Sequence, residues 1–239
     1  MATAEADRLT ARYQQQVLRL ARLIADRLRV TAMRADASNI DSWWERISPA
    51  VRREILLGQS ALSALARTYL RAHAAAEGVR LEPVAVEPNA QQIDTSLFVT
   101  GPIAFKEAMT AHADEAAAVR AMATQLEGSA TRLLMEGPRQ TTTRTFQERR
   151  VVEGWRRVAA GRGCAFCLML VGRGAIYSRT SVHFRSHDHC RCTGVLVYRR
   201  ESEPPHVRRL QEQWREATAG LTGADAINAW RRYVDEHGL

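Results

Sequence analysis

All four cysteines of this 239-residue chain lie in one window of 29 residues, Cys164 to Cys192. Their order is Cys164-x2-Cys167, a gap of 22 residues, then Cys190-x-Cys192, with His183, His187 and His189 just ahead of the second pair. Thiolates so closely spaced can converge on one tetrahedral ion at about 2.3 Å. In a loop-rich segment with few apolar residues, metal binding can itself be the folding energy. The leading reading is a structural zinc site of Cys164, Cys167, Cys190 and Cys192, with His187 or His189 able to replace one thiolate. Two others stand beside it: redox or disulfide chemistry, and reduced structural cysteines without metal. A thioredoxin-like Cys-x2-Cys follows a βαβ pattern, and none leads into this one. Disulfides are also unexpected in a reducing compartment.

A catalytic centre would have to be sought in the same window. His187, Asp188 and His189 are adjacent, with Ser178, Ser181 and Ser186 nearby. These three, His187, Asp188 and His189, are the catalytic candidates, although linear closeness does not define a triad, whose members meet in space. A thiol nucleophile, Cys190 with a neighbouring histidine, is a further arrangement. The sequence shows no nucleophile elbow, no His-Glu-x-x-His and no phosphate-binding glycine loop.

The elements that must position this window read mainly as helix. Leu9, Tyr13, Val17, Leu20, Ile24 and Leu28 recur at spacings of three and four, one stripe of an amphipathic helix. Asn39-Ile40-Asp41-Ser42 reads as a cap, followed by a short helix around Trp43–Ile47. Ser48-Pro49 then reads as a new helix start, with Val51, Ile55, Leu62, Leu65 and Tyr69 on one face and a stop at Gly78. Residues 79–101 read as an extended connector broken by Pro83 and Pro88, with Leu97-Phe98-Val99 as a short strand or anchor. Thr100-Gly101-Pro102 starts a further helix, and another spans Asp114 to Met135, ending at Gly137-Pro138. A basic helix carrying Phe146, Val151, Val152, Trp155 and Val158 follows. Gly161-Arg162-Gly163 interrupts the helical period, Thr193–Tyr198 reads as a strand, and two short helices around Trp214 and Trp230 close the chain.

Composition sets outer bounds. Hydrophobic residues are 46% and charged residues 25%, the balance of a globular protein. No run of about 18 apolar residues marks a membrane span, and the start lacks the pattern of a secretory signal, so an intracellular protein without a membrane partner is expected. Lys plus Arg is 34 against 26 Asp plus Glu, and Lys106 is the one lysine. An arginine bias with abundant alanine reads first as the mark of a GC-rich genome. Yet 13 arginines against three acidic residues lie between Arg139 and Arg200, so one segment carries the whole positive excess. A basic segment of this kind favours an anionic partner such as DNA or an acidic scaffold, or forms a solvated face.

Several of these stretches carry a family resemblance: Gly154-Trp155-Arg156-Arg157-Val158, Gly163-Cys164-Ala165-Phe166-Cys167-Leu168-Met169-Leu170, Gly174-Ala175-Ile176-Tyr177, His187-Asp188-His189-Cys190-Arg191-Cys192 and Val195-Leu196-Val197-Tyr198. Together they resemble the Mu F-like minor head proteins of tailed phages, in the actinobacteriophage branch whose members are commonly labelled capsid maturation proteases. The resemblance covers roughly Thr141 to Tyr198. It implies a minor capsid protein of head morphogenesis, in contact with portal, scaffold or major capsid protein. It places the chain in the virion or procapsid interior, assembled in the host cytoplasm. A maturation protease cleaving scaffold or capsid proteins is the alternative function, and a zinc-stabilised nucleic-acid-binding module, using the Arg-rich segment 139–200, is another.

The expected architecture is therefore mainly α with a small α+β zinc-binding module. It divides into a helical N-terminal region (1–78), the connector (79–101), a head-morphogenesis region (102–200) with the Cys/His module at 161–198, and short C-terminal helices (201–239).

Overall fold

The computed structural model describes residues 3–111, 114–159, 163–180, 182–199 and 202–239. Three long helices form its body: α1 (Ala4–Ala32), α2 (Ile40–Ala76) and α5 (Glu115–Glu148), each packed against the other two. Between α2 and α5 lie the shorter α3 (Ala90–Phe98) and α4 (Ala104–Thr110). Two strands, β1 (Gly154–Val158) and β2 (Thr193–Val197), flank a helix of eight residues, α6 (Ala165–Gly172). The chain closes with α7 (Pro205–Ala217) and α8 (Gly223–His237). The architecture is mainly α with one small α+β unit, as the residue pattern predicts.

The α1 stripe is where its spacing puts it, with Tyr13, Val17, Ile24 and Leu28 buried. Its first turn is capped by the Thr3 hydroxyl, which accepts from Ala6 N. Asn39 caps α2 by accepting from Ser42 N. The expected restart at Ser48-Pro49 does not occur: α2 runs unbroken through Pro49. An interior proline costs about 3 kcal/mol, but Ile40, Trp44, Val51 and Ile55 form one continuous buried stripe across it, and burial of that stripe outweighs the lost bond. The helix does stop at Gly78. There φ is +72°, Val79 N donates to Ala74 O at 2.8 Å and Gly78 N to Ala75 O at 3.0 Å, a Schellman closure.

The connector is shorter than expected. Residues 90–98 of it are helix α3, whose N-cap Asn89 accepts from Gln92 N. Leu97-Phe98-Val99 is thus the end of a helix, not a strand. A wide turn at Val99–Ile103, with Gly101 outside helical geometry, then leads into α4.

The largest departure is α5. Gly137-Pro138 does not end it; the helix continues to Glu148. Sequence reasoning treats both residues as breakers, whereas here they sit inside the core and serve packing. A Cβ at Gly137 would collide with Ser63 Oγ and lie 2.7 Å from Gln59 O, so α2 and α5 touch through bare backbone. Gln59 Nε2 donates to Leu133 O at 2.7 Å, a second tie between α2 and α5 in the turn before the proline. Beyond it the buried hydroxyls of Thr141, Thr142, Thr143 and Thr145 each donate to the carbonyl four residues back. These polar side chains therefore enter the core already satisfied.

The expected basic helix after the threonines also ends early. Trp155 and Val158 lie on β1, which pairs antiparallel with β2 in the register Gly154↔Val197 to Val158↔Thr193. Trp155 is fully buried, stacked on Tyr177 and Phe184 with centroids at 4.8 and 5.5 Å. One apolar core runs from Tyr13 through Leu196. A satellite core joins Leu168 of α6 to Trp230 and Val234 of α8, and Trp230 Nε1 donates to Ala165 O at 2.7 Å. The two C-terminal helices thus cover α6. The expected interruption at Gly161-Arg162 lies outside the described residues, as does Ser181.

Gly137→Val should lower the free energy of unfolding by about 1–3 kcal/mol, the usual cost of overpacking. Chemical denaturation checks this, and an unchanged midpoint would remove the close α2–α5 contact as a determinant of stability.

Candidate metal centre

Three short elements deliver the cysteines. Cys164 is the N-cap of α6, its Sγ accepting from Cys167 N at 3.4 Å, so the first helical turn sets both sulfurs on one side. A tight turn, closed by Cys190 N donating to His187 O at 3.1 Å, brings His187 and Cys190 to the same place. His189 takes the left-handed conformation in that turn (φ 61°), a region histidine enters more readily than most residues. Cys192 follows at the entry to β2.

The donor atoms converge in two overlapping groups, Cys164/Cys167/His187 and Cys167/Cys190/Cys192, each with all donor atoms within 4.8 Å of one another. Cys167 Sγ lies 3.7 Å from both Cys190 Sγ and His187 Nε2, and Cys164 Sγ lies 3.2 Å from His187 Nε2. Two thiolates about 2.3 Å from one tetrahedral ion stand about 3.8 Å apart. The separations fit that edge, and the cluster can hold a metal ion. A cleft of about 270 Å³ lined by the four cysteines, His187 and His189 opens onto it.

His187 is oriented for this role. Its Nδ1 lies 2.6 Å from Asp188 O, which can only accept, so Nδ1 carries the proton and Nε2 turns its lone pair to the sulfurs. His189 belongs to neither group. Its ring lies against α5, where a Cβ at Gly128 would meet Nε2 at 2.5 Å, and its backbone N donates to Gly128 O. The Asp188 carboxylate accepts from Arg132 Nε at 2.7 Å. Of the three catalytic candidates, then, one faces thiols, one an arginine and one a helix. His183 is exposed and in neither group.

Sequence reasoning missed the side chain that fastens this cluster. Arg139, read as part of a basic surface, is wholly buried on α5, with Nη2 2.7 Å from Cys190 O and Nε 3.2 Å from Cys192 O. Arg157 on β1 is equally buried and donates to Arg185 O at 2.6 Å. Arg179, half-buried, donates to Phe146 O and Arg149 O. No local signal separates these arginines from exposed ones such as Arg185 and Arg191. The Cys190 thiol is driven below its ordinary range by hydrogen bonds from Cys167 and Cys192, with Arg139 adding to the effect. The hydrogen bonds to Cys190 and Cys192, together with burial, push Cys167 up.

Metal analysis of the purified chain should find about one ion per molecule. Cys167→Ser, which removes the atom common to both groups, should abolish it, and His187→Ala should reduce it. His189→Ala should leave the stoichiometry unchanged. Loss on His189→Ala with retention on His187→Ala would reverse the assignment.

No helix among the described residues is long and apolar enough to cross a membrane. Neither the curated proteins nor the solved structures hold a match to the chain. A phage protein family does match, over residues 3–217, from the first turn of α1 to the end of α7 and across the whole metal cluster. On that extent the chain belongs to the VG15 protein family.

Proposed function

We propose that this chain is a minor capsid protein of the Mu F-like kind, acting in head morphogenesis with portal, scaffold or major capsid protein inside the procapsid. The observation that carries the reading is the conjunction of a phage family spanning the chain with a Cys/His cluster bolted to its central helix. In this reading zinc is the ion, because a closed set of thiolate and imidazole donors suits a structural site. The ion closes the loop between α6 and β2 and holds the small unit rigid on the helical body. The long α1 and α2 then serve as the docking arm, where Leu23, Val30 and Leu57 are half or more exposed. DNA is a further partner in this reading, through exposed arginines of segment 139–200 such as Arg144, Arg150, Arg185 and Arg191.

A capsid maturation protease is the second reading, and one observation favours it. Cys164 sits at the N-terminus of α6, exposed, with its sulfur 3.2 Å from His187 Nε2. A cysteine nucleophile works with an imidazole base within reach of its sulfur. This use competes with the metal for the same two atoms.

Co-expression with the adjacent scaffold and major capsid proteins, followed by intact-mass measurement, separates the two. Unchanged masses with co-purification are expected. A defined truncation that disappears on Cys164→Ser would make the chain a protease. Salt titration of any DNA complex adds the third arm, since affinity carried by phosphate contacts falls steeply with salt.

A further inference from the structure

Among the described residues, Arg139 and Arg157 are the two largest charged side chains fully closed off from solvent, each 1% exposed. Among the described residues neither pairs with a carboxylate at ion-pair distance. Nη1 of Arg139 and both Nε and Nη1 of Arg157 are buried without any hydrogen-bond partner. Both guanidinium groups lie on the same ring, Phe184, with Cζ 4.9 Å from its centroid for Arg139 and 3.9 Å for Arg157. Phe184 in turn packs against Cys167, Cys190 and Cys192. Two like charges therefore share one small volume beside three buried sulfurs, and each disfavours burial of the other. Buried charge persists where an opposite charge compensates it. The groups beside them that can supply such charge are the sulfurs of Cys167, Cys190 and Cys192, packed on the same ring.

The arithmetic of a divalent ion closes this gap. Three thiolates and a neutral imidazole around a dication leave one negative charge, and four thiolates leave two. We propose that Arg139 and Arg157 are built-in counter-charges for an anionic, thiolate-rich metal centre, and that their charge sets its metal affinity. They act as positioning residues: Arg139 also fixes the Cys190 and Cys192 carbonyls, while Arg157 touches neither. The inference rests on the metal reading of the cluster. It adds that the favoured ligand set is rich in thiolate, because two fixed cations leave a neutral, histidine-rich set undercompensated.

The test uses the full chain and Zn²⁺ alone, with affinity read by competition against a chromophoric chelator. Co²⁺ substitution reports the number of thiolates through the sulfur-to-cobalt charge-transfer band. Arg139→Met and Arg157→Met should each weaken Zn²⁺ binding by about 10- to 100-fold, the usual range for residues supporting a ligand shell. Arg139→Lys and Arg157→Lys should recover most of that loss. A charge-transfer band of three or four thiolates is expected in the unaltered chain. Methionine variants that bind as tightly as the unaltered chain overturn the proposal. So do lysine variants that lose as much as methionine, since shape rather than charge would then be at work. If Arg139 variants fail to fold by circular dichroism, the Arg157 pair, which makes no contact with the cysteine carbonyls, decides. An unaltered chain that binds neither ion overturns the metal reading itself, an outcome distinct from tight binding indifferent to the arginines.

Discussion

Arg139 projects from the last third of α5 into a space closed to water and donates to the carbonyl oxygens of Cys190 and Cys192. Moving a guanidinium into such a place costs on the order of several kcal/mol before anything compensates it. The position is therefore held only while the cysteine loop is in place, and the loop is held only while α5 passes through this point. That mutual requirement ties the helical body to the α+β unit. The apolar core reflects it, running without a break from Tyr13 on α1 to Leu196 on β2. The strand pair is too short to stand alone; it exists because Trp155 and Leu196 bury into the helices while Arg139 fixes the turn that feeds β2.

The same constraint explains why α5 is long. A helix broken at Gly137-Pro138 would not carry Arg139 to the cysteine loop. The break is prevented by tertiary contacts: Gly137 lets the α2 backbone approach, and Gln59 reaches across from α2 to the Leu133 carbonyl. Pro49 in α2 is tolerated by a similar balance, with a buried tryptophan pair on one side and the buried stripe of Val51, Ile55 and Leu62 on the other. In both helices, packing supplies more than the proline removes.

Cys164 and His187 lie where two chemistries meet. A sulfur beside an imidazole is accessible to nucleophilic use if left open, and an inert ligand if an ion closes the site. The rest of the cluster weighs toward the ion. Cys167, Cys190 and Cys192 are buried, and two cations stand behind them with no carboxylate at ion-pair distance among the described residues. A nucleophile does not require three further sulfurs, whereas a tetrahedral ion requires four donors. The burial of Arg139 and Arg157 also changes the meaning of the chain's basic segment, because part of its positive charge faces inward.

Composition and spacing alone were enough to place the cysteine window, the amphipathic α1, the Gly78 stop, the β2 strand and the two closing helices. Each depends on local physics: ligand spacing, a 3.6-residue period, a left-handed glycine, β-branched residues in a row. Pairing of β1 with β2, passage of α2 and α5 through their prolines, and helix α3 within the connector were decided by contacts between distant residues. The choice among the histidines was decided the same way. His187 and His189 are two residues apart and chemically alike, yet a single tight turn aims one at the sulfurs and lays the other on Gly128. The inward face of Arg139 and Arg157 is the clearest case. Arginine reads as surface in any local window, and only a core that gathers thiols, an aromatic ring and backbone carbonyls around it makes the interior habitable for its charge.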